Sequence, residues 1–290
     1  MRLANLDGRA QLITDDERAV DVHKASDGKF GPELAAIYDN WAGFADWAQG
    51  ADLTDAVEFD RSALSAPSPS PRQILAVGLN YAEHAQESGF DSPNGLPPVF
   101  PKFLSSLSGP ETEVVLPEGG NTDWEIELVV VIGKQADQVP EEKAWDYVAG
   151  VTAGQDISER VIQLSGPAPQ FGLGKSYPGF APTGPYLVTP DTLPDRNDLH
   201  LHAELDGETV QDGSTAKLIV PVAKLISELS AIITLFPGDI IFTGTPEGVG
   251  LGRKPQRFIK PGETLVSTID GIGRLKQTFV AAGAGQGGQS

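Results

Sequence analysis

The chain has no cysteine. Disulfides, thiolate-bound zinc and cysteine nucleophiles are therefore excluded. Positive charge is scarce as well: 21 Lys and Arg stand against 40 Asp and Glu, for a formal net charge of −19 over 290 residues. A surface of that charge repels phosphate backbones, so no nucleic-acid partner is expected. It also repels small anions, so an enzyme acting on a carboxylate would need a metal ion or positioned Lys and Arg side chains. No run of about 18 apolar residues is present, which argues against a membrane-spanning helix. The first twenty residues carry no apolar signal core. The expectation is a cytoplasmic protein with no membrane association. Its 40% hydrophobic content suits a sizeable core.

Residues 1–25 read as short strands with a turn at Asp7-Gly8. Between Pro32 and Gln49, Leu34, Ile37, Tyr38, Trp41, Phe44 and Trp47 fall at amphipathic helical spacing. The run Ser62–Pro71 (SALSAPSPSP) reads as a linker or extended edge segment. A boundary placed there gives a small N-terminal α/β domain over 1–68 and a main domain over 69–278. Residues 279–290, rich in Gly, Ala and Gln, read as a disordered tail. Within the main domain, strands are expected at Gln73–Gly78, Glu113–Leu116, Trp124–Ile132, Tyr147–Gln155, Gly184–Val188, Leu199–Leu205, Ile240–Thr243 and Thr264–Ile269. A helix is expected over Val222–Leu235, following Pro221. Strands outnumber helices and do not alternate with them, which indicates an α+β fold.

Three segments carry candidate chemistry. In the first, Asp123, Glu125 and Glu127 alternate along DWEIELVVVI, so a strand places all three on one face. Carboxylates about 7 Å apart repel unless a cation or water screens them. A hard cation would relieve the repulsion, and a solvated strand face would do so equally. In the second, Asp156 follows an apolar strand, with Arg160 and Gln163 four and seven residues on. Asp156 could add an oxygen ligand, or it could be a helix N-cap paired with Arg160. In the third, His84 and Glu87 are three apart on a short helix, so the carboxylate could fix the imidazole as a base. A surface ion pair explains the same spacing.

Lys175, in the glycine-flanked GLGKS, could hold a carboxylate or oxo group. The loop TGTPEGVG (243–250) could offer Thr245 and backbone N–H groups to an oxyanion. His200, His202 and Glu204 alternate on another strand, a pattern that favours the solvent side of a hairpin over a zinc site.

Taken together, VGLNYAEHAQE, PVFPKFLSSLSGP, TDWEIELVVVIGK, YVAGVTAGQDISER, GKSYPGFAPTGP, QDGSTAKLI and FPGDIIFTGTPEGVGLG resemble the fumarylacetoacetate hydrolase family across about residues 72–278. The resemblance implies a mixed β-roll catalytic domain, a homodimer, and Mg²⁺ or Mn²⁺ (Ca²⁺ in some crystals) bound by Glu125, Glu127 and Asp156. It implies catalytic roles for His84, Glu87, Lys175 and Gln163. It places substrate contacts at Arg160, Lys175, Thr245, Tyr81 and Lys102. Pro178 after Tyr177 departs from the family's usual lysine loop. The implied activity is metal-dependent hydrolysis of a carbon–carbon bond in a 2,4-dioxo acid, an acylpyruvate or a 2,4-dioxo-3-deoxy sugar acid, giving pyruvate and a carboxylic acid. Alternatives are oxaloacetate decarboxylation, 2-oxo acid isomerisation or tautomerisation, and a non-catalytic paralogue.

Overall fold

The computed structural model describes residues 1–283 apart from 16, 17, 90, 92 and 94. Its centre is the strand Ile126–Ile132, buried along its whole length. Both faces are covered, which is why the sequence there runs almost continuously apolar after Glu127 rather than alternating. It pairs antiparallel with Val148–Gln155 on one side and with Ile240–Phe242 on the other. Ile74–Val77 lies parallel to Ile240–Phe242 and carries Val99–Pro101 on its far edge. In the other direction Val148–Gln155 pairs with Ala181–Val188, and that strand pairs with Arg2–Leu6. Arg9–Asp15, Arg18–Asp21 and Val57–Glu58 extend this mixed sheet, and Leu64–Ser65 and Leu107–Ser108 pair with Arg2–Leu6 and Ala181–Val188 to complete it. A second, five-stranded sheet contains Glu208–Ser214, His200–Leu205, Thr264–Ile269, Gly273–Val280 and Glu111–Val115 in that order. The mixed α+β class expected from the strand-rich pattern is the observed one.

The amphipathic stretch near residue 40 forms Leu34–Ile37, a 3-10 turn at Tyr38–Asn40, and the helix Trp41–Ala48. Leu34, Ile37, Tyr38, Trp41 and Phe44 bury the predicted stripe against Leu3, Leu12, Val131, Ala149 and Leu187. The N-terminal region thus shares both a sheet and a core with the rest of the chain. The Ser- and Pro-rich run is no loose linker. Ala66, Pro67 and Ser68 are buried. Ser68 Oγ donates to Gly238 O at 2.6 Å, Tyr38 Oη donates to Pro67 O, and Asn5 Nδ2 donates to Ala66 O.

The helix expected over Val222–Leu235 stops at Ser230. Its last carbonyl is taken by the Gln138 N–H, and the chain then bonds to Ala136 through Leu235. The final strand continues to Val280 with Phe279 fully buried, so it enters the stretch read as tail; residues 284–290 lie outside the described residues. Among the described residues, no helix is long and apolar enough to cross a membrane.

Register gathers the site. Glu127 stands opposite Gly154, and the Asp156 N–H donates to Glu125 O at 2.9 Å. Gly154 has no room for a side chain: a Cβ would lie 2.4 Å from Val129 Cγ2 and 2.7 Å from Phe242 Cε1. Gly154→Ala should therefore destabilise the protein by about 1–3 kcal/mol through overpacking. The midpoint of urea unfolding measures this.

Candidate active site

Glu125, Glu127 and Asp156 are buried, and one carboxylate oxygen from each lies within 4.8 Å of the others. Among the described residues this is the one acid or histidine cluster so closely gathered. Lys175 Nζ donates to Glu125 Oε2 at 2.7 Å and to Asp156 Oδ2 at 2.6 Å. Lys102 Nζ reaches Asp156 Oδ1 at 2.5 Å and also donates to the Lys175 carbonyl. Arg160 Nη1 pairs with Glu125 Oε1 at 2.8 Å and donates to Gln163 Oε1 at 2.9 Å.

Burial pushes the Glu125 carboxyl up, but Lys175, Arg160 and His84 outweigh it and hold it down to about 2. Glu127 moves the other way. Burial, then repulsion from Asp156 and Glu125, raise it well above the usual carboxylate range. Three oxygen donors with one of them electrostatically strained fit a hard divalent cation such as Mg²⁺ or Mn²⁺.

Asp123 does not join this group, although its spacing put it on the same face. It is fully buried and accepts Arg160 Nε and Nη2 at 2.9 and 2.7 Å. The Trp124, Gly250 and Leu251 N–H groups also donate to it. Arg160 is therefore the partner of Asp123 and Glu125 rather than of Asp156. Nor is Asp156 a helix cap. The short helix Arg160–Gln163 is capped by Glu159, which accepts from the Val161 and Ile162 N–H groups.

His84 and Glu87 lie on the helix Ala82–Glu87, with His84 Nδ1 3.0 Å from Glu87 Oε1. Glu87 also accepts from the Gly248 and Val249 N–H groups. Several N–H groups of the Gly-rich loop and the residue after it are turned toward the site's own carboxylates. Gly244 donates to Glu127 at 2.6 Å, Gly248 and Val249 to Glu87, and Gly250 and Leu251 to Asp123. Thr245 is buried, donates to Ile126 O and accepts from Gln211, so its hydroxyl ties the loop to the ligand strand. Tyr81 is buried with its hydroxyl unpartnered, and burial followed by the charges of Glu127 and Glu247 raises its pKa.

His84, Glu125, Arg160, Gln163 and Lys175 line one cavity with Leu79, Ser88, Phe100, Leu164, Phe171 and Leu251. The cavity measures about 30 Å³, room for about two waters. The short helices Arg160–Gln163 and Phe171–Gly174 form one wall. They can approach because Gly174 has no side chain: a Cβ there would sit 2.6 Å from Gln163 N. The apolar lining residues carry no chemical signature and escaped sequence reasoning. Asp123 did have a signal, the alternating acids, but not its partner.

Residues 73–280 match the family described as Fumarylacetoacetate (FAA) hydrolase C-terminal. The chain belongs to the fumarylacetoacetate hydrolase family. A curated relative, the 2,4-didehydro-3-deoxy-L-rhamnonate hydrolase of Sphingomonas sp. (strain SKA58), is 42% identical over 79% of this chain and 81% of its own. A crystal structure from Mycobacterium smegmatis is 53% identical, with a TM-score of 0.92 over 97% of this chain and 100% of that one. The maleylpyruvate hydrolase of Sphingobium sp. SYK-6, in complex with manganese (II) ion and pyruvate, is 29% identical, with a TM-score of 0.75 over 97% and 99% of the two chains. The acidic triad suits divalent-metal binding within this family of enzymes.

His200 and His202 face outward beside Asp212 and Glu204, His200 about half exposed, on the solvent side of a hairpin turning at Asp206-Gly207.

Burial and repulsion at Glu127 set a sign. Its folded-state pKa is raised, so the metal-free protein gains stability as pH falls through that value. Glu127→Gln removes the repulsion at every pH. Above that pKa, where wild-type Glu127 is ionised, it should raise the melting temperature of the metal-free protein by several degrees, and at any pH it should abolish the rise that Mn²⁺ gives the wild type. Calorimetric melting with and without Mn²⁺ checks both.

Proposed function

We propose that this enzyme hydrolyses a carbon–carbon bond in a 2,4-dioxo acid, releasing pyruvate and a carboxylic acid. One observation carries this: His84, bonded to Glu87 behind it, opens onto the same cavity as Glu125, Arg160, Gln163 and Lys175, beside the acidic triad. The Sphingomonas and Sphingobium relatives support it, since both are named as hydrolases.

Glu125, Glu127 and Asp156 would hold Mg²⁺ or Mn²⁺, which when bound supplies a Lewis acid for the 2-oxo carboxylate end of the substrate. The rest belongs to this chain's own side chains. With Nδ1–H donating to Glu87, His84 keeps a lone pair at Nε2 and takes a proton from water. The water oxygen bonds to C4 of the substrate, and the C3–C4 bond breaks with its electron pair moving to C3. C3 then takes the proton back from His84, giving pyruvate. Lys175 has two of its three donors on Glu125 and Asp156, leaving one for a substrate oxygen. Gln163 accepts from Arg160 through Oε1, so its amide N–H groups are what it offers a ligand.

His84→Ala should lower kcat on an acylpyruvate by about a hundredfold or more, with Mn²⁺ affinity unchanged by titration calorimetry. Decarboxylation or isomerisation needs no attacking water. Full activity of the variant on oxaloacetate or on an isomerisable 2-oxo acid would move the function there.

A further inference from the structure

Leu79 connects the strand Ile74–Val77 to the helix Ala82–Glu87, at φ +58°. That left-handed backbone suits glycine, asparagine and aspartate far better than leucine. The other non-glycine residues with positive φ among the described residues are Asp7, Asp27, Gln138 and Asp206, all polar. An apolar side chain held there at a conformational cost points to work done by that side chain. Leu79 lines the active-site cavity with Phe100, Leu164, Phe171 and Leu251.

The wall is organised. Phe100 and Phe171 pack edge to face at 5.5 Å. Lys175 Nζ sits 5.1 Å from the centre of the Phe100 ring, so the apolar half begins where the charged half ends. Exposed Val161, Ile162 and Leu164 lie on or just past one short wall helix, and exposed Leu173 lies on the other.

The charges are already matched. Arg160 spends Nε and Nη2 on Asp123 and Nη1 on Glu125 and Gln163. Lys175 and Lys102 are held by Glu125 and Asp156. By formal charge, Asp123, Glu125, Glu127, Asp156 and Glu87 outnumber these three side chains by two, the charge that a divalent ion carries. The 2-oxo carboxylate of the substrate then makes the set negative. A second carboxylate at the far end would meet no unpaired cation.

We propose that this pocket takes the acyl end of a 2,4-dioxo monocarboxylate as an uncharged apolar group, aliphatic or aromatic, and that Leu79 sets the preference. The proposal rests on the 2,4-dioxo acid reading above, and the test separates the two.

The Mn²⁺-loaded enzyme is assayed on 2,4-dioxo acids whose acyl substituent is methyl, propyl, phenyl, carboxyethyl or trihydroxypropyl. Wild-type kcat/KM should rise about threefold to fourfold per methylene from methyl to propyl. The carboxylated and hydroxylated compounds should fall at least tenfold below propyl. Leu79→Asn suits the same backbone but replaces the apolar face. It should compress the propyl-to-methyl ratio by about tenfold, with melting temperature and Mn²⁺ affinity at wild-type values, which a merely structural role for Leu79 would not produce. If no dioxo acid is turned over, the proposed reaction fails, and the wall is read by calorimetric binding of pyruvate, 2-oxohexanoate and 2-oxoglutarate to the Mn²⁺-loaded protein. Tightest binding of 2-oxohexanoate, lost in Leu79→Asn, sustains the pocket assignment. A wild-type preference for the second carboxylate or the hydroxylated chain, or unaltered ratios in Leu79→Asn, overturns it.

Discussion

Three carboxylates taken out of water side by side repel one another and forfeit hydration, and much of this chain is arranged around that cost. Glu125, Glu127 and Asp156 are brought together by strand register, so they cannot drift apart without breaking the central sheet. Lys175, Lys102 and Arg160 are buried for the same reason, each placed against a carboxylate. The offset is unequal. Glu125 pairs with both Lys175 and Arg160, which it shares with Asp156 and Asp123, whereas Glu127 has the Gly244 N–H and two like-charged neighbours. That imbalance distinguishes a site built for an added cation from an ion-pair network complete in itself.

The Gly-rich loop after Ile240–Phe242 is the second consequence. Its N–H groups go in turn to Glu127, Glu87 and Asp123, so one loop fixes a triad carboxylate, the partner of the histidine and the partner of Arg160. Glycine is needed where the backbone approaches most closely: a Cβ on Gly250 would lie 2.8 Å from Asp123 Oδ1 and would collide with Arg257 O. Loop position and side-chain position are therefore a single variable.

The sequence made the charged half of the site legible and the apolar half invisible. Glu125, Glu127, Asp156, His84, Glu87, Arg160, Gln163 and Lys175 each stood in a pattern that chemistry could explain, and the fold gathers them. Thr245 and the loop N–H groups were harder, because a donor's partner lies far away in sequence. Leu79, Phe100, Phe171 and Leu251 look like any core residue until the cavity is seen. At the level of fold, the α+β class followed from strand count and the lack of alternation with helices. The burial of Ser68 did not, because composition cannot say that a serine in a Pro-rich run will find Gly238 O. The strands Glu208–Ser214 and Gly273–Val280 went unrecognised for a related reason: each mixes exposed polar positions with few apolar ones, and its pairing supplies what its composition lacks.

The buried strap at Ala66–Ser68 and the strand Arg2–Leu6 bear on how the molecule can be divided. A chain begun after residue 68 would strip Arg2–Leu6 from Ala181–Val188, leaving a bare sheet edge beside the uncovered side chains of Val131, Ala149 and Leu187. An exposed edge next to apolar surface is a template for strand pairing between molecules. The N-terminal segment thus covers apolar surface of the central sheet, and the two regions can be named apart more easily than they can be cut apart.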